Sequence, residues 1–351
     1  MTKTISPVAA LWIRRWLILI GLMVYAMILI GGATRLTDSG LSITEWDPIK
    51  GTLPPFGEAS WLAEFEKYKA TAEFQLQNYN MTLAEFKYIY WWEWGHRLFG
   101  RLIGLIAIGG FIWFAAKRWL TKRWAIRLLV LIALGGLQGA IGWWMVASGI
   151  GETTRVDVAP YRLATHFGLA LLIIGVTAWF WLDLKRGAEK PGRQPGYMLA
   201  LCLLVLISIQ MFSGALVAGL DAGRSYTDWP LMSGQLVPSP YLYPDLGLRS
   251  LFEGRAATQF NHRFLAYLIW ALSIFAAIRY RAGPLGRRYI ILACLVTAQA
   301  VWGILTLVSA APLMMALVHQ GLGVITLLAS LELTWQLRQA APGEIIQTPQ
   351  E

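Results

Sequence analysis

Eight apolar stretches, approximately 14–35, 93–116, 124–147, 161–184, 196–219, 258–280, 288–309 and 312–336, decide what this chain can fold into. A helix rises about 1.5 Å per residue, so about 20 apolar residues cross a hydrocarbon core about 30 Å thick. Each stretch meets that length. The composition agrees: 56% of the 351 residues are hydrophobic and 14% are charged, with a mean hydropathy of +0.51. The expected fold is an all-α integral membrane protein with eight transmembrane helices. The first stretch reads as a retained helix and not a cleaved signal, because Gly31-Gly32-Ala33 runs straight into Thr34-Arg35.

A net charge of +10 raises the question of nucleic acid. The basic residues sit at Lys3, Arg14 and Arg15, then Lys117 to Arg127, then Lys185 to Arg193, then Arg279 to Arg288. Those are alternate connections, as the positive-inside rule requires, so both termini are expected inside and no nucleic-acid partner is expected. The two cysteines, Cys202 and Cys294, fall within spans five and seven and read as small buried hydrophobes, not as a disulfide.

The outer segment after span one, roughly 36–92, is acidic and aromatic. Residues 60–68 predict an amphipathic helix on the membrane surface. Thr82-Leu83-Ala84-Glu85-Phe86 predicts a similar turn leading into Tyr88, Tyr90, Trp91, Trp92 and Trp94, which read as an interfacial aromatic belt.

The second half repeats the first. Gly32-Ala33 and Thr44 to Asp47 are echoed by Gly214-Ala215 and Thr227 to Pro230, and His96-Arg97 by His262-Arg263. Gln138 and Gly142 match Gln299 and Gly303, and His166 matches His319. Four spans per repeat is an even number, which predicts a parallel repeat of two four-helix bundles. The expected division is 1–185 for the first bundle, 186–195 for an inner connecting loop, 196–337 for the second bundle and 338–351 for a polar tail.

The chain has four histidines, and all lie near the outer start of even-numbered spans, about 5–10 Å below the boundary. One histidine in a span is as readily a hydrogen-bonded packing residue. Four at equivalent repeat positions read as ligands. Two facing imidazoles in a helical bundle suit axial ligation of a b-type haem, pairing His96 with His166 and His262 with His319. Zinc would want a compact tetrahedral set that neither half completes, and a copper site stays open with weaker support.

Arg97 and Arg263 follow directly on His96 and His262, with Arg101 and Arg162 a turn from His96 and His166. Such guanidinium groups suit haem propionates at the interface, with snorkelling as the alternative for Arg162. The halves differ three residues before the first histidine, where Glu93 stands in one and Gln259 in the other. A carboxylate one turn from an imidazole can move a proton or stabilise positive charge, and an amide cannot. The asymmetry predicts that the first half reacts and the second carries electrons.

On Gly32 to Leu36 with Ser39 to Ser42, Trp92-Glu93-Trp94-Gly95-His96-Arg97, Gln138-Gly139, His166, Asn261-His262-Arg263 and His319, the chain resembles the haem A synthase family, in the branch shared by proteobacteria and mitochondria. The resemblance covers all eight spans. It implies an oxidoreductase that converts the C8 methyl of haem O, through the hydroxymethyl form, to the formyl of haem A for terminal oxidases. It implies that His262 and His319 hold a haem b cofactor, that His96 and His166 hold haem O, and that Glu93 is the essential outer acid. A haem O synthase (a farnesyltransferase) is the implied upstream partner, beside membrane lipid and an electron donor that the sequence does not identify. A homo-oligomer stays open. Some members carry a cysteine pair in the first outer loop, and this sequence has none there.

Two other classes compete. A diheme b-type electron carrier would need no Glu93/Gln259 asymmetry and would place its haems at two depths, not in one outer layer. A transporter would want charge at the midplane of a span, and none is found there. The N-terminus lacks an Arg-rich, Ser-rich extension, so a bacterial inner membrane, with the haem sites toward the periplasmic face, is expected.

Overall fold

The computed structural model describes residues 5–151, 153–186 and 192–339. Residues 187–191 of the connecting loop 186–195 and residues 340–351 of the tail 338–351 lie outside the described residues. Eleven α-helices are found among the described residues: α1 (Pro7–Leu36), α2 (Gly57–Lys69), α3 (Ala72–Leu76), α4 (Leu83–Ala116), α5 (Lys122–Val146), α6 (Pro160–Arg186), α7 (Tyr197–Gly219), α8 (Ser250–Glu253), α9 (Arg255–Tyr280), α10 (Gly286–Val308) and α11 (Leu313–Leu337). Of these, α1, α4, α5, α6, α7, α9, α10 and α11 are long and apolar enough to cross a membrane.

Two helices begin earlier than hydropathy predicts, because local capping outlasts the apolar window. Ser6 Oγ accepts from Ala9 N at 3.3 Å and Pro7 opens α1, which satisfies amide groups that a helix start leaves orphaned. At α4, Thr82 Oγ1 accepts from Glu85 N at 3.3 Å while the Glu85 carboxylate accepts from Thr82 N at 2.8 Å, a reciprocal capping box. The second amphipathic pattern of the outer segment is therefore the first turn of α4 itself.

The helix expected on the membrane surface forms as α2, but its apolar face packs on protein. Trp61, Phe65 and Tyr68 are buried against Phe86, Ile89 and Tyr90 of the α4 extension. Ring centroids lie 5.0 Å apart for Trp61 with Tyr90 and 5.0 Å for Phe65 with Phe86, within the favourable range for aromatic pairs. The extension makes a wall for the outer segment, so the predicted belt is only partly exposed.

In the first half α1 packs on α4, α4 on α5, α5 on α6 and α6 on α1; in the second, α7, α9, α10 and α11 close the same ring. Between the rings α1 meets α11, α6 meets α7, and α6 meets α11. The main apolar core runs through these contacts, with Leu17, Ile20 and Val24 of α1, Ile173 and Ile174 of α6, Leu203 and Ile207 of α7, and Val324 and Leu327 of α11. On α4 the residues Leu102, Leu105, Ile108 and Ile112 are exposed at the three-to-four spacing of one helix face, as a lipid-facing stripe requires. Cys202 and Cys294 are free and exposed, not buried.

Candidate functional site

Each histidine stands on a different helix, and each is met by a glycine on the neighbour. His96 (α4) faces Gly31 (α1), His166 (α6) faces Gly142 (α5), His262 (α9) faces Gly214 (α7), and His319 (α11) faces Gly303 (α10). A methyl group at those glycines would stand 3.3 Å from His96 Nε2, 2.8 Å from His166 Cε1, 3.1 Å from His262 Cε1 and 2.7 Å from His319 Cε1. Glycine inside a helix costs about 1 kcal/mol relative to alanine, so these four positions trade helix stability for room beside an imidazole. His96 and His166 stand on helices of one ring, and His262 and His319 on helices of the other. The site is therefore two imidazole pairs, one in each ring of helices.

Glutamines flank three of the four. Gln138 Nε2 donates to His166 O at 3.1 Å, Gln210 Nε2 to His262 O at 3.0 Å, and Gln299 Nε2 to His319 O at 2.9 Å. Since only the amide nitrogen can donate to a carbonyl, these bonds fix which way each amide points. The Nε2 atoms of Gln138 and Gln210 also lie 3.2 Å from His166 Nδ1 and His262 Nε2, respectively.

Glu93 is neither solvated nor free. It is 2% exposed. Its Oε2 accepts from Ser42 Oγ at 2.8 Å and from Ile43 N at 2.7 Å, and its Oε1 pairs with Arg97 at 2.5 Å. Arg97 also donates to the carbonyls of Ile43 and Glu45 at 2.7 and 2.8 Å. Arg263 repeats this in the second half, donating to the carbonyls of Tyr226 and Asp228 at 2.9 and 3.0 Å. Gln259, also 2% exposed, donates to Tyr226 O at 3.0 Å. Each half thus holds its outer loop down on the first histidine's helix by an arginine and a side chain one turn before it. In the first half that side chain is an acid.

The arginines expected near haem propionates donate to backbone carbonyls of the protein. Besides Arg97 and Arg263, Arg101 donates to the carbonyls of Asp47 and Pro48 at 2.9 and 3.0 Å, and Arg162 to Trp144 O at 2.7 Å. Ser42, Gln210 and Gly31 are site residues that sequence reasoning missed. The spacing of Gln210 to Gly214, which repeats Gln138 to Gly142, was the available signal.

Glu73 on α3 was likewise not singled out. It is 2% exposed, and its Oε2 has no hydrogen-bond partner among the described residues. Burial pushes its carboxyl up to about 8 from 4.5, with Asp38, Asp157 and Glu93 adding to the effect and the Tyr68 hydroxyl opposing it. The folded chain therefore keeps a proton that the unfolded chain releases, so this contribution to stability is complete below about 4.5 and is lost as pH rises through about 8. The melting temperature in detergent is expected to fall between about pH 5 and 9 more steeply for the wild type than for Glu73→Gln. Parallel curves would show that Glu73 does not hold this proton.

Eight apolar helices arranged in two rings, each carrying two partly buried histidines, define a multi-pass membrane protein. The family model described as "Cytochrome oxidase assembly protein", COX15-CtaA, matches residues 14–331, and the chain belongs to that family. It is 64% identical over 334 residues to the Heme A synthase of Hyphomonas neptunium, covering 95% of each chain. It is 48% identical to the Heme A synthase of Paracoccus denitrificans, over 88% of this chain and 83% of the relative. With that of Maricaulis maris it shares 46% identity, over 93% and 96%.

Proposed function

We propose that the chain is a haem A synthase, a membrane oxidoreductase that takes the C8 methyl of haem O to the formyl of haem A for terminal oxidases. The names of its relatives and its family support the activity. The observation that supports placing the chemistry in the first half is Glu93, a buried carboxylate one turn from His96 where the second half has Gln259.

The residues fit haem in both halves. Paired imidazoles are the right donors, the opposing glycines let each ring pack directly on the neighbouring helix, and His319 Nδ1 is buried with no partner among the described residues. His262 and His319 would hold a retained haem b, and His96 and His166 the substrate. Haem b, when bound, supplies one-electron transfer. Glu93 presents a carboxylate at the reacting end, oriented by Arg97 and the Ile43 amide, as the group that would take up or pass on a proton. Arg97 and Arg263 hold the loops 43–45 and 226–231 over the sites, excluding water.

The two closed rings of helices support division into two four-helix bundles, 1–185 and 196–337, and the basic residues on alternate connections support a parallel arrangement with both termini inside. The setting we infer is a bacterial inner membrane with the histidines toward the periplasmic face, and the enzyme making haem O as the upstream partner. Co-expression with a source of haem O tests the whole reading: haem A is expected in the pyridine extract beside haem b. An extract with haem b alone, in cells shown to contain haem O, would favour an electron carrier instead.

A further inference from the structure

On the helix opposite three of the four histidines, two positions four residues apart meet the histidine. They are Gln138 and Gly142 against His166, Gln210 and Gly214 against His262, and Gln299 and Gly303 against His319. Against His96 the glycine is Gly31, and four residues earlier stands Met27. The Met27 side chain reaches α4 one turn beyond His96, where a methyl group on Gly100 would meet Met27 Cε at 3.1 Å. A thioether has no hydrogen to donate. Among the described residues, His96 is the one histidine of the four whose backbone carbonyl receives no glutamine amide.

The three glutamines share a second property. Gln138 Oε1, Gln210 Oε1 and Gln299 Oε1 are all buried with no hydrogen-bond partner among the described residues. An imidazole that gives one nitrogen to iron keeps a hydrogen on the other, and the acceptor of that hydrogen fixes the ring's orientation and raises its basicity. Each amide is tied by its nitrogen to the histidine's own backbone, the nitrogens of Gln138 and Gln210 also lie against the ring, and each amide oxygen is buried without a partner among the described residues.

Resting on the haem-binding reading above, we propose that Gln138, Gln210 and Gln299 are positioning residues that clamp three of the four haem-ligating histidines. Met27 leaves His96 unclamped, which makes His96 the ligand that releases when substrate enters and product leaves. The distribution matches what each half must do. Both ligands of the retained haem are clamped, through Gln210 and Gln299, while the substrate pair has one clamp, Gln138, on His166. A substrate site needs one firm ligand for registry and one that lets go. A cofactor site needs two firm ones.

The test uses the full chain purified from cells that make haem O, with release of each haem type into excess apomyoglobin followed by extraction. Met27→Gln is expected to slow loss of haem O and haem A about 10-fold and to leave haem b unchanged. Gln210→Met is expected to speed loss of haem b about 10-fold and to shift its low-spin resonance, a signature that general destabilisation would not confine to one haem. Should Met27→Gln fail to insert, Gln138→Met takes its place, with faster loss of the first-half haem expected. Release at wild-type rates in the variants that insert would overturn the clamp. A wild-type protein carrying no haem would overturn the ligation reading on which the clamp rests.

Discussion

Glu93→Gln is expected to reduce haem A formation by about 100-fold or more while the second half keeps its haem b, because a positioned acid or base contributes about 100 to 10,000-fold. The carboxylate oxygens accept from three donors, Ser42 Oγ, Ile43 N and an Arg97 guanidinium hydrogen. An amide of the same shape keeps one oxygen and turns its own hydrogens toward one of those donors, leaving a buried donor unpaired at about 1–3 kcal/mol. Stability and chemistry are therefore both touched, and two controls separate them. Retained haem b in Glu93→Gln shows that the second half is intact. Ser42→Ala removes one donor and leaves the acid in place, and is expected to lower the yield far less. Undiminished haem A from Glu93→Gln would remove the residue from the mechanism.

The histidine pairs predict a clean division of pigment. His262→Ala or His319→Ala is expected to abolish haem b binding and, with it, haem A formation. His96→Ala or His166→Ala is expected to abolish binding of haem O and haem A while haem b remains at full content. The physical basis is that each iron loses one of two axial nitrogens, and the glycine opposite each ring offers no side chain to replace it. Extraction with pyridine and an optical spectrum measure both pools. If His262→Ala kept a full complement of haem b, the pairing of His262 with His319 would be wrong.

Much of this was legible from residues alone, for identifiable reasons. Spans are read from apolar length, which local sequence states directly, and the eight helices fall close to the stretches so defined. The repeat was visible because His96-Arg97 and His262-Arg263 are rare residues in apolar surroundings. Pairing by sequence alone slipped by one at the end of the first span. It set Gly32 opposite Gly214, whereas Gly31 is the residue that meets His96. Two adjacent glycines are indistinguishable in a string, and about 100° of helix rotation decides which of them faces the ring.

Membership of an eight-span membrane fold, the four imidazoles and the Glu93/Gln259 asymmetry were set by sequence itself, since they depend on residue type and spacing. Tertiary structure decided what each side chain is committed to. Arg97 and Arg263 reach back some fifty and thirty-odd residues to loop carbonyls, Glu93 is buried under Ser42 and Ile43, and α2 turns its apolar face to α4. Met27 is told apart from the three glutamines only once α1 is packed on α4. Hydrogen bonds and burial are properties of approach between distant segments, and no local spacing encodes them.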